Sequence, residues 1–142
     1  MRVRLLALLA ICLLIAAEPK DDKGAKDLKS LEGTWKLVAA EREGEKAPED
    51  MLKNSSLTIK GGKYEAKLGD DTHEGKLKLD PTKKPKTLDA TESSDQTLLG
   101  IYELKGDEFK VCLAEPGKDR PKEFSAAQGS GQMILVWKRA SK

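Results

Sequence analysis

The sequence predicts an all-β domain: an eight-stranded antiparallel meander barrel, with a short helix between strands one and two. Two observations predict it. Strand-like runs recur at short, regular spacing from residue 34 to residue 139, with turn-forming Gly, Asp and Pro between them. Most of the connections have hairpin length, which joins antiparallel neighbours, and eight such strands can close around side chains or one small ligand. Closure also removes the unpaired edges that a lone sheet would expose.

The elements follow in order. Leu28 and Leu31, three apart, share one face of a single helical turn leading to Gly33. The first strand covers 34–41, with Trp35, Leu37 and Ala39 in phase on one face. Residues 48–53 read as the short helix, because Pro48 opens it, Glu49 and Asp50 fill its first turn and Lys53 ends it. The second strand, 56–60, turns at Gly61-Gly62 into the third, 63–68, where Tyr64, Ala66 and Leu68 are in phase. Gly69-Asp70-Asp71 leads to the fourth strand, 72–79, with Gly75, Leu77 and Leu79 in phase.

A loop containing Pro81 and Pro85 precedes the fifth strand, 86–91. The sixth, 97–104, meets the seventh, 108–114, through Lys105-Gly106-Asp107, and the last covers 132–139. Two strands give no clean inside and outside. In the sixth, Leu99 and Ile101 compete with Leu98, Tyr102 and Leu104; in the last, Ile134 and Val136 compete with Met133, Leu135 and Trp137.

The 142 residues suit one domain. Residues 1–17 read as a cleaved secretory signal: Met1-Arg2-Val3-Arg4 is basic, residues 5–15 are apolar, and Ala16-Ala17 are small. Polarity returns at Glu18, so the run is shorter than the roughly 20 residues of a membrane span. A lipoprotein signal fits less well, since bulky Ile11 precedes Cys12 inside the apolar run. Residues 18–27 read as a disordered charged leader, and 28–142 as the barrel domain. The protein is thus expected to be exported, periplasmic or extracellular, with no membrane span in the mature chain, and to be a monomer.

Arg2 and Arg4 lie in the signal, so without it the 26 basic residues fall by two and equal the 24 acidic ones. A neutral chain with interspersed charges gives no steering toward phosphate backbones, which removes nucleic acid as a partner. One thiol, Cys112, remains, so no internal disulfide framework forms and the core must stabilise the domain unaided.

Several stretches carry a family resemblance. They are Leu31-x-Gly33-Thr34-Trp35-x-Leu37-Val38, Leu79-Asp80-Pro81-x-Lys83-Lys84-Pro85-Lys86 and Leu99-Gly100-Ile101-Tyr102-Glu103-Leu104, with Gly106-Asp107, Cys112, Arg120-Pro121 and Lys138-Arg139 after them. Residues 31–139 resemble a lipocalin-like domain of unknown function found in exported planctomycete proteins. The resemblance implies a lipocalin-like barrel with a latch built on Gly33, Trp35 and a closing cation, and it brings no activity, substrate or cofactor. Trp35 would plug the closed end, with the cation over the indole. Period-2 alternation allows either Arg139, on the face of Trp137, or Lys138, on the other face, and Arg139 is favoured because a planar guanidinium stacks better on indole.

No catalytic constellation emerges, and no metal site or cofactor is expected. His73 is the single histidine, and Cys112 sits mid-strand without a base or helix N-terminus to activate it. The acid pairs Glu49-Asp50, Asp70-Asp71 and Asp107-Glu108 fall at a helix start or in turns, where water reaches them. A non-enzyme is expected. The strongest binding candidates are Asp80, Lys84, Asp89, Tyr102 and Arg120, with Lys83 and Glu123 beside them, several on loops. Against this, Asp80-Pro81 also suits a plain turn, and Arg120 a loop-pinning ion pair.

The leading functional expectation is a binding module that holds a small apolar or amphipathic ligand in the barrel, room being left by Ala39, Ala66 and Gly75. The alternative is an envelope interaction domain, its barrel filled and its loops contacting protein or glycan. An apolar pocket of roughly 300 Å³ or more would favour the first.

Overall fold

The computed structural model describes residues 22–141. Residues 1–17, read above as a signal, and residues 18–21 of the expected leader lie outside the described residues. Helix α1 (Asp22–Leu31) precedes strand β1 (Gly33–Arg42), the two-residue strand β2 (Glu45–Lys46) and helix α2 (Glu49–Lys53). Strands β3 (Ser56–Lys60), β4 (Lys63–Leu68), β5 (Asp71–Asp80), β6 (Lys86–Glu92), β7 (Thr97–Lys105), β8 (Glu108–Ala114) and β9 (Gln132–Ser141) follow. From β3 onward each strand pairs antiparallel with the next, and β1 pairs with both β3 and β9. That double pairing closes an eight-stranded barrel, and β2 is an extra hairpin arm on β1.

Trp35 and Leu37 are buried as expected, but Ala39 is exposed and Ala40 packs on the core instead. The register shows why: Leu37 faces Trp137 while Ala39 faces the adjacent Val136, so Val38 is an extra, unpaired residue. Such a bulge flips the phase of everything after it.

The ambiguity in the sixth predicted strand has an equally direct cause, while the outer residues of the last, Ile134 and Val136, are only half-buried. Leu98, Tyr102 and Leu104 of β7 point into the barrel, as do Met133, Leu135 and Trp137 of β9. The opposite face of β7 is covered too. Residues 115–131 fold back over the outside of the wall and bury Ile101, Cys112, Ala114 and Ala126 in a second, smaller cluster. A strand buried on both faces loses its alternation.

Cys112 faces away from the barrel yet is fully buried, its thiol 3.4 Å from the Ser125 carbonyl and 3.7 Å from Gln132 Nε2. Burial pushes this thiol's pKa up. Because polar partners surround the sulfur, a hydroxyl at this position finds them as well. Cys112→Ser should therefore unfold within about 1 kcal/mol of the parent in urea. A much larger loss would show that the thiol packs as a purely apolar filler.

Candidate functional site

The two ends of the barrel differ. At one end α1 acts as a stopper. Leu31 is fully buried, Leu28 packs beside it, and the Trp35 indole N–H donates to the Leu31 carbonyl at 2.9 Å. The Arg139 guanidinium lies 4.3 Å from the Trp35 ring and donates to the carbonyls of Glu32 (3.0 Å) and Ser30 (2.8 Å). Arg139 is the latch cation, while Lys138 is exposed. Gly33, at φ 129°, makes the bend from α1 into β1 that an L side chain rarely tolerates.

The stopper corrects the reading of residues 22–27 as disordered leader. Asp27 accepts the Tyr102 hydroxyl at 2.6 Å and pairs with Lys86 at 3.3 Å. Gly24 sits so close to β5 that an added Cβ would stand 2.6 Å from the Leu79 carbonyl oxygen. Charge density suggested solvation, but Asp27 has partners that only the barrel supplies.

The predicted binding group is not assembled into one site. Arg120 lies on the outside, bonded to Asp89 at 2.8 Å and donating to the carbonyls of Leu88 (3.1 Å) and Gly100 (2.9 Å), so it pins the 115–131 segment. Tyr102 is inside the barrel beneath α1. Asp80 accepts from the Thr82 hydroxyl and amide in its turn, and these bonds hold its carboxyl below the usual range. Lys83, Lys84 and Glu123 are exposed.

The end opposite the stopper holds an apolar cavity of about 130 Å³. Phe109 and Trp137 form its floor, Phe109 resting 5.8 Å from the Trp35 ring, and Leu113, Met133 and Leu135 form one wall. The facing wall, β4 to β6, carries the polar groups: Tyr64, His73 and Glu92. His73 Nδ1 lies 3.1 Å from Glu92 Oε2. Tyr64 pairs in register with Gly75, which pairs with Glu92, so no side chain stands between the two residues across β5. Leu68, His73, Met133 and Leu135 also line a wider vestibule of about 570 Å³ between the β1–β2 hairpin, α2 and β5.

Sequence reasoning missed Tyr64 and Glu92 as site residues and set His73 aside. The signal was there. His73 shares the inward phase of Gly75, Leu77 and Leu79, and Glu92 that of Leu88 and Ala90, so period 2 places both among core residues.

Burial, with the Glu92 charge adding to it, pushes the Tyr64 phenol up to about 12. Burial and the Asp27 hydrogen bond push Tyr102 upward as well. These are the two tyrosines of the chain. For Tyr64 the folded value exceeds the unfolded value of 10.0, so its share of stability is complete below that pH and is lost as pH climbs through about 12. Absorbance at the phenolate band should accordingly stay flat through about pH 10.5 while the protein remains folded. Early, ordinary titration of both phenols with intact circular dichroism would contradict the burial.

The fold and site define an antiparallel barrel stoppered at one end and open at the other through a small apolar chamber whose lining includes Tyr64, His73 and Glu92. No family model, curated protein or solved structure matches the chain.

Proposed function

We propose that this protein is an exported, non-catalytic binding module that holds a small amphipathic ligand, its apolar part in the barrel and its polar end at the vestibule. One observation carries the reading: an apolar chamber with three polar side chains on a single wall, joined to a wider polar mouth. Ligand sites typically combine an apolar lining with a few placed polar groups. The exported address rests on the signal pattern of residues 1–17.

The chamber's size narrows the ligand. At about 130 Å³ it falls below the roughly 300 Å³ expected of a site that engulfs a drug-sized molecule. Phe109, Val111, Leu135 and Trp137 occupy the space, and Ala39, expected to leave room, faces outward. Apolar cavities of about 150 Å³ accept a benzene-sized body. The ligand is thus one ring or a short alkyl chain, with the remainder in the vestibule.

The same small volume favours a second reading, an interaction domain with an essentially filled barrel. Its contact surface would include Val38, which is 44% exposed, with Ile134 and Val136 beside it on the outer wall. Titration with ethylbenzene, followed by tryptophan fluorescence, to which Trp137 on the chamber floor contributes, separates the two. Saturable binding supports the chamber. Its absence up to the solubility limit supports the filled barrel.

A further inference from the structure

The polar groups of the chamber are unequal, and their inequality selects a head group. Glu92 is largely buried, its side chain 17% exposed, and its described partner is His73, which is 41% exposed. Tyr64 holds its proton well above the ordinary range and so stays neutral. His73 turns Nδ1 to the carboxylate. The wall therefore offers a carboxylate acceptor and a neutral phenol. A ligand carboxylate placed there would meet Glu92 as a like charge in a poorly solvated setting, where repulsion is strong.

The mouth has the same sign. Its ionisable side chains besides His73 are Glu41, Glu43, Glu45 and Asp71 against Arg42 and Lys46, and Arg42 lies 3.7 Å from Glu115. This field draws cations toward the opening. The floor is aromatic, from Phe109 and Trp137, and suits a ring.

Resting on the chamber reading above, we infer that the ligand is a small organic ammonium: an aryl or short alkyl body on the aromatic floor, with a primary amine donating to Glu92. A charged donor is preferred to a hydroxyl because charge-assisted hydrogen bonds are roughly twice as strong as neutral ones. The Tyr64 phenol, on the same wall, is a neutral acceptor for a second N–H of the ammonium.

The test uses three probes with one body: phenethylamine, ethylbenzene and phenylpropionate, titrated into the purified protein at neutral pH by calorimetry and tryptophan fluorescence. The amine should bind at least about tenfold tighter than either of the others. Glu92→Gln should erase that preference, and Lys84→Ala, on the exposed loop, should retain it. Equal binding of all three probes, or tighter binding of the carboxylate, would overturn the ammonium inference while leaving the chamber reading standing. No saturable binding even of ethylbenzene would remove the chamber reading and this inference with it. Should Glu92→Gln not fold, the ranking of the three probes on the parent protein decides the matter alone.

Discussion

Trp35→Ala should lower the unfolding free energy by about 3–5 kcal/mol, the usual loss when a large buried aromatic is cut from a core. Trp35 is fully buried and joins three elements: α1 through the Leu31 carbonyl, β9 through Arg139, and β8 through Phe109. Truncation leaves a void beneath α1, and the Leu31 carbonyl and the Arg139 guanidinium both lose a partner. For a domain of this size the loss corresponds to a fall in melting temperature of about 10 °C or more. Arg139→Ala should cost less, about 1–3 kcal/mol, because the indole stays buried while the cation–π contact and the bonds to Ser30 and Glu32 go. A Trp35→Ala protein that melts within a degree or two of the parent would mean that the indole is not the plug.

Gly75→Ala should also be destabilising, by about 1–3 kcal/mol, and its sign is the informative part. A glycine inside a strand is normally a weakness worth roughly 0.5–1 kcal/mol, so filling it with alanine ordinarily helps. Here an added Cβ would overlap the Thr91 carbonyl and stand 2.8 Å from the Glu92 Cα, both of them backbone. β5 and β6 cannot keep their spacing with a methyl group between them. The same displacement separates Tyr64 from Glu92 across position 75, so the Tyr64 phenol should titrate closer to its ordinary value in the variant. Urea unfolding measures the first effect and alkaline absorbance the second. A Gly75→Ala protein as stable as the parent would show that the wall opens freely there, and the chamber would then not be rigid.

Much of the barrel is legible in the sequence. All eight predicted strands are present within a residue or two at most ends, since turns such as Gly61-Gly62 and Lys105-Gly106-Asp107 mark chain reversals by local chemistry alone. Alternation left Arg139 and Lys138 both open as the latch cation, guanidinium shape favoured Arg139, and Arg139 is the one over the Trp35 ring. The binding group did not assemble as expected. Asp89 and Arg120 pair on the outside of the wall, whereas Tyr102 lies inside the barrel and Asp80 sits in its own turn. In a sheet, neighbours in sequence point to opposite faces, so Asp89 turns outward to Arg120 while Leu88 and Ala90 turn in.

The sequence by itself determined the strand order and the hairpin connections, because these depend on local turn chemistry, and the phase of several strands through period-2 alternation, while the latch residues came with the family resemblance. Only the tertiary structure decided the rest. The bulge at Val38 arises from how β1 must pair with β9 to close the barrel. The ordering of Asp27 needs Tyr102, 75 residues away. The burial of Cys112 needs the 115–131 segment folded over the outer wall. The chamber wall needs β4, β5 and β6 side by side before Tyr64, His73 and Glu92 can meet. Each of these is a contact between distant parts of the chain, whose energy exists only once the barrel has closed.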